Sequence, residues 1–229
     1  MPAFPHQTIV DFVTAPDASA TQQQLLHVHN SRGFCDQATV QVLESYLAEQ
    51  VQQTTVDVDA NLALLKLYQL YPSTLKTATV ATVLIKGMMA LPSTFFTGAS
   101  TMVPESIRED AHVSAVLHTG FMLQSCLFED FWKTDVTFAD EVPGFLESVR
   151  AYILVAICRS HSVISTDVFK AKLNVSDQQV ADIVAAEQWT VAGNLIQIKP
   201  NELNQMQAKK VQENIQYEDV LKAIHVLSK

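Results

Sequence analysis

DVDANLALLKLYQLYP, residues 57–72, is the stretch on which the fold of this chain turns. Asp59 is a natural N-cap and Pro72 cannot continue a helix, so the pattern predicts one short helix over 60–71. At 3.6 residues per turn, Leu64, Leu67, Tyr68 and Tyr71 share a face, Ala63 and Leu70 widen it, and Leu62 and Leu65 lie across from it. Lys66 and Gln69 make the only polar notch. A helix apolar nearly all round needs neighbours on more than one side. At about 1.5–3 kcal/mol for each buried leucine, this helix can hold several others in place. It is expected to be a structural hub, with no chemistry in it.

Working outward, the same helical spacing recurs. Val40, Leu43, Leu47 and Val51 form a stripe that Asp36 is placed to cap. Val80, Val83, Leu84 and Met88 mark a helix over 75–90 that Leu91-Pro92 ends. Phe95, Phe96 and Met102 follow a Ser93-Thr94 cap. Then come Val113, Val116, Leu117 and Phe121; Phe128, Phe131 and Trp132; and, past Pro143-Gly144, Phe145, Val149, Tyr152, Ile153 and Ala156. Short helices joined by brief Pro/Ser/Thr turns predict an antiparallel helical-repeat array over 34–160. Before it, residues 1–33 are rich in Pro, Gln, Thr, Ser and His. They are expected to be a loosely ordered extension with a short helix around 21–28.

The pattern changes after His161. A short helix is expected over 164–173 behind Ser165-Thr166, and Ser176 with Gln179 forms a capping box that opens another. Two β-rich runs, Trp189-Thr190-Val191 and Leu195 to Ile198, flank the turn Ala192-Gly193-Asn194. Helix, turn, helix and hairpin over 161–200 read as a winged helix. Residues 201–229 continue as a polar stretch and an amphipathic C-terminal helix carrying Tyr217, Val220, Leu221, Ile224 and Leu227. The predicted class is mainly α: a helical-repeat array, a winged helix, and a C-terminal helical tail.

Composition narrows the function. The 229 residues include 48% apolar and only 17% charged positions, which fits either a Leu/Val/Ala-rich core or a surface partly covered by partners. Six glycines build neither a P-loop nor a G-x-G-x-x-G turn, so a nucleotide site is not expected. A net charge of −9 opposes autonomous binding to nucleic acid or anionic membrane. Cys35, Cys126 and Cys158 are odd in number and far apart, which predicts neither a zinc site nor a disulfide framework and suits a reducing cytoplasm. No signal peptide is read at the N-terminus, and the uncharged stretches 87–104 and 111–128 are interrupted by Pro or by His, Ser and Gln, so no membrane span is expected.

The winged helix invites a nucleic-acid reading, but residues 177–188 contain no Lys or Arg and do contain Asp177, Asp182 and Glu187. Lys170 and Lys172 are too few to compensate. Glu129-Asp130 and Asp140-Glu141 are neighbours in sequence and point about 100° apart on a helix, so spacing does not make them an acid/base pair. Cys126 and Cys158 read as small buried thiols, and the pair His27 and His29 lacks a third ligand. No catalytic, metal, cofactor or small-molecule site is expected. The remaining candidates are interfaces. Leu195, Ile196, Gln197 and Ile198 offer a strand for pairing with a neighbour, or else complete their own sheet with Ile196 and Ile198 as core. The helix over 217–227 either packs on its own domain or joins a bundle with other chains.

LESYLAEQ (43–50), DVDANLALLKLYQLYP (57–72), LQSCLFEDFW (123–132), GFLESVRAYI (144–153) and, more weakly, SDQQVADIVAAEQW (176–189) occur in the order of a known family. The chain resembles the subunit-k family of eukaryotic translation initiation factor three, small members of the PCI proteins. The match spans about Phe34 to the C-terminus and is loose after Pro200. The resemblance implies a helical-repeat domain followed by a winged helix. It also implies a non-catalytic scaffold subunit in the cytoplasm, at the periphery of a complex that supports 43S pre-initiation assembly. The chief neighbour would be subunit l, with the small ribosomal subunit contacted indirectly. The nearest alternatives are a small PCI subunit of the proteasome lid or the COP9 signalosome, and, from another class, a winged-helix nucleic-acid binder.

Overall fold

Asp57, rather than Asp59, starts the hub helix. Its carboxylate accepts from the Ala60 N–H at 3.0 Å, and Asp59 falls inside the first turn, where an acidic side chain suits the unpaired N–H groups. The computed structural model describes residues 4, 7–14, 18–31, 33–205 and 216–228; parts of the expected N-terminal extension and of the polar stretch after Pro200 lie outside them. In chain order the elements are β1 (Thr8–Val10), α1 (Ala20–Asn30), α2 (Thr39–Gln53), β2 (Thr55–Asp57), α3 (Val58–Leu70), α4 (Thr77–Met89), α5 (Phe95–Met102), α6 (Glu105–Arg108) and α7 (Ala111–Gln124). They continue with α8 (Phe128–Lys133), α9 (Phe145–Ser160), β3 (Val163–Ser165), α10 (Thr166–Leu173), α11 (Asp177–Ala186), β4 (Thr190–Ala192), β5 (Leu195–Gln197) and α12 (Tyr217–Leu227). The chain is mainly α, with an array of short helices leading through a winged helix to a C-terminal helix.

Helix α3 packs against α2 and α5. Leu64, Leu65, Leu67 and Tyr68 are buried, and Leu62 is half-buried. Leu70, expected on the inward face, is exposed, because the helix ends there and Tyr71 turns away to donate its hydroxyl to the Cys35 carbonyl at 3.0 Å. Helix α4 is more completely enclosed than α3, with α5, α7 and α9 around it. Phe96 of α5 is the wedge. A Cβ on Gly87 of α4 would lie 3.1 Å from its Cα, and one on Gly120 of α7 would lie 2.0 Å from its ring. Both glycines are there because the Phe96 side of the core has no room for another carbon.

The described residues 7–14 and 18–30 are built into the fold, where a loose extension was expected. Ser19 and Gln22 form a capping box for α1, β1 pairs in parallel with β2, and Phe12 and Leu25 are buried in the common core. Asp36 is not a cap; α2 begins at Thr39, whose hydroxyl donates to the Gly33 carbonyl at 3.0 Å. A buried polar network fastens this region. Asp57 accepts from Phe12 N at 2.8 Å and from the Tyr46 hydroxyl at 3.2 Å, and donates its own N–H to Gln50 Oε1 at 2.8 Å. Gln50 and Asn61 exchange two amide hydrogen bonds, at 2.9 and 3.1 Å. Lys86 of α4, fully buried, donates from Nζ to the Gln50 carbonyl at 3.1 Å, near the C-terminal end of α2 where a cation is favoured.

Helix α9 serves both halves of the molecule. It packs against α4 in the array and against α10, the first helix after β3. With α9 included, the order helix, β3, α10, α11, β4, β5 is a complete winged helix whose three strands run β3-β5-β4. Within the winged helix, strand β3 is not expected from the sequence, where the helix starts at 164; Ser165 caps α10 as expected, and α10 begins at Thr166. Gly193, at φ +62°, holds the first position of the two-residue hairpin loop, where glycine is the favoured residue.

Two stability predictions follow from these contacts. Gly120→Ala puts a methyl into the Phe96 ring and is expected to cost about 1–3 kcal/mol net in denaturant unfolding. Gly98→Ala, whose Cβ would meet only Leu62 at an ordinary 3.7 Å, is expected to stabilise α5 by about 0.5–1 kcal/mol. The second concerns Lys86, whose burial lowers its pKa from 10.5 to about 8. Between those values the unfolded chain keeps a proton that the folded chain has released, so stability rises with pH from about 8. Cys158 and Tyr46, held up to about 11 and about 12 chiefly by burial, work in reverse above their ordinary values of 9 and 10, so the rise is visible from pH 8 to 9. Lys86→Met is expected to flatten it, as measured by denaturation midpoints across that range.

Candidate interaction surface

The buried network is the densest cluster of titratable groups in the fold, but Asp57 and Lys86 are sealed from solvent and bonded to backbone. It offers no reacting atom to a substrate. Elsewhere a few ionisable side chains pair locally. Asp130 meets Lys133 at 3.2 Å, and His112 meets Glu141 at 3.3 Å. His29 is edge-on to Phe12 and Phe34 and so packs with them. Among the described residues no group of three or more His, Cys, Asp or Glu could hold a metal ion, and no helix is long and apolar enough to cross a membrane. Cys126 is exposed, contrary to the buried position expected of it, because it ends the α7 turn with φ +59° and points away from the apolar stripe. Cys158 is half-buried, and burial pushes its thiol up to about 11, away from nucleophilic use.

The exposed faces of the wing, α11 and α12 are the candidate surfaces. Strand β5 was expected to offer itself for pairing. It is instead the middle strand, bonded to β3 on one side and β4 on the other. Ile196 and Ile198 are buried, so the reading of these two as core is the correct one, and they are not available to a partner. Leu195 and Gln197 face outward, together with Val163 of β3, which makes an uncharged outer sheet face. The single-sided strand is β4, whose Thr190, Val191 and Ala192 are all exposed and which pairs only with β5 among the described residues. The sequence shows the hairpin to which β4 belongs. Without β3, however, the two hairpin strands could not be ranked as centre and edge.

Helix α11 occupies the position that reads DNA in other winged helices. Its capping box is formed as expected, Val180, Ile183 and Val184 face inward, and Asp177, Gln178 and Asp182 are on the outside. Lys170 is bound to Asp177 at 2.7 Å, and this hydrogen bond raises its pKa. The face is acidic where a phosphate backbone needs cations. Helix α12 is the clearest unpartnered surface. Tyr217, Val220, Leu221, Ile224 and Leu227 lie on one side of it and all are exposed.

Comparison with known proteins agrees with this architecture. The family model described as CSN8/PSMD8/EIF3K matches residues 74–210. Among curated relatives, a protein of Xenopus laevis named eukaryotic translation initiation factor 3 subunit K is 30% identical over 182 residues, covering 78% of this chain and 84% of the relative. Its namesake in Nematostella vectensis is 28% identical over 189 residues, covering 81% of this chain and 88% of the relative. The Homo sapiens protein of the same name is 34% identical over 124 residues, 52% of this chain and 57% of its own length. With a helical array, a complete winged helix and a family match over more than half its length, the chain belongs to the CSN8/PSMD8/EIF3K family.

Proposed function

We propose that this chain is a subunit of eukaryotic translation initiation factor 3, acting as a non-catalytic scaffold in the cytoplasm. The observation that carries this reading is the similarity to subunit K relatives across about four-fifths of the chain. The chemistry on the page supports it. Some ionisable side chains pair locally, as Asp130 does with Lys133 and Lys170 with Asp177, whereas apolar side chains on the wing and on α12 are left uncovered. In this role the outer wing face (Leu195 and Gln197), the free edge of β4, and the α12 face (Tyr217, Val220, Leu221, Ile224 and Leu227) bind neighbouring subunits. Subunit l is the chief neighbour, and the small ribosomal subunit is approached indirectly, in support of 43S assembly. A strand edge supplies main-chain hydrogen bonds and an amphipathic helix supplies apolar anchors, two modes that complement each other.

The second reading is a small subunit of the proteasome lid or the COP9 signalosome, because the matched family description includes CSN8 and PSMD8. Affinity purification of the tagged chain from its own cytosol, followed by mass spectrometry, separates the two. The expected result is near-stoichiometric recovery of factor-three subunits, with subunit l surviving the harshest wash; lid or signalosome subunits in their place would overturn the assignment. Leu221→Asp with Ile224→Asp places charges on an exposed face and leaves the core untouched. It is expected to lower subunit l recovery roughly tenfold, as anchor residues at an interface do. Binding of the isolated chain to RNA or DNA is expected to be negligible at low salt, and salt-sensitive binding would favour the nucleic-acid reading instead.

A further inference from the structure

Phe4 and residues 7–14 touch both halves of the molecule. Phe4 lines an apolar groove where the chain leaves the wing, together with Leu154, Val155 and Cys158 of α9 and Asn201 and Leu203 of the turn after Pro200. That turn is pinned to the end of α9. Asn201 donates from Nδ2 to the Cys158 carbonyl at 2.9 Å, and Asn204 from Nδ2 to the His161 carbonyl at 3.3 Å. Further along, Gln7 donates from Nε2 to Met89 Sδ at 3.5 Å, at the C-terminal end of α4. β1 then pairs with β2, and Phe12 is buried, its ring stacked on Phe34 at 6.0 Å and its N–H bonded to Asp57. The array end of this segment is held firmly and the rest is not. Gln7 has a thioether for its acceptor, which is a weak one, and its Oε1 is buried with no partner among the described residues. An amide oxygen desolvated and left unbonded opposes the seat that buries it. Phe4 is half-buried, so at the groove the hold is one apolar contact.

We propose that the N-terminal segment is a releasable strap: seated, Phe4 closes the α9 groove and ties the wing's exit to the array; lifted, it opens the groove and loosens the turn at 201–204. Phe12 stays fixed in the core, so release is a motion of the residues before it. Coupling of this kind is reciprocal. A chain that binds the N-terminal segment loosens the wing's exit, and one that fixes the exit holds Phe4 in its seat.

Cys158 reports on the groove. In full-length chain carrying Cys35→Ser and Cys126→Ser, both exposed positions, Phe4→Ser is expected to speed alkylation of Cys158 several-fold. Gln7→Met keeps the length of the side chain and removes the unbonded oxygen. It is expected to slow alkylation when Phe4 is present and to leave the rate unchanged beside Phe4→Ser, as two residues acting through one seat do. An unchanged rate with Phe4→Ser, no slowing by Gln7→Met, or slowing in both backgrounds would each overturn the strap. The tie to the wing is read by hydrogen exchange at the Ile198 amide, which donates to the Ser162 carbonyl at 2.9 Å. Phe4→Ser is expected to speed that exchange several-fold while Leu84 of α4 keeps its rate. No change at Ile198, or equal acceleration at Leu84, would overturn the tie.

Discussion

The exposed surface of the wing is positioned by α9. Phe145, Val149, Ile153 and Ile157 are buried along it, and its neighbours are α4 on one side and α10 on the other. Trp132 of α8 closes the same joint. Its indole N–H donates to the Lys172 carbonyl at 2.8 Å, and the Arg150 guanidinium lies 5.3 Å from its ring centroid. Arg150 also reaches the Leu173 carbonyl, at 3.3 Å. Those two carbonyls end α10, where they have no partner within the helix. The array therefore supplies the donors that the wing's first helix lacks, and the apolar core runs from Phe12 to Ile198 without a break.

A second fastening sits at the far end of the array. The Asp57 carboxylate and the Gln50 side chain together satisfy N–H groups from the turn after β1, from β2 and from α3, and Lys86 adds a cation to the cluster. Burial raises the Asp57 pKa, an effect opposed by the backbone N–H groups of Ala60 and Phe12 and by the Tyr46 hydroxyl. A buried polar cluster of this kind adds little net stability and specifies one arrangement, because any other leaves a desolvated group unpaired. Here it fixes where the N-terminal segment crosses the array.

The long helices were legible because their stripes repeat over several turns, and the Ser176-x-x-Gln179 box and the hairpin were legible from local chemistry alone. The same box at Ser19 and Gln22 was present in the sequence but lay in a region whose composition suggests a loose tail, so composition outweighed a motif. β1 and β3 are three residues each and carry no period of their own; both exist through pairing with distant strands. Lys86 could be read as one charge in an apolar run, but its acceptor, 36 positions away, could not. At the candidate interface, the α12 stripe was readable in full. The sequence left open whether Ile196 and Ile198 are core or interface, and the central position of β5 decides for core.

The proposed scaffold role needs contact surfaces at fixed positions, which here requires the wing and the array to open as one unit. Native-state hydrogen exchange tests this directly, because it reports the free energy at which each amide becomes exposed. The β5 amide of Ile196 and the α4 amides of Leu84 and Ile85 should exchange through the same global opening, with equal free energies and equal response to denaturant. A wing that exchanges at a distinctly lower free energy while α4 stays protected would contradict the single-body account.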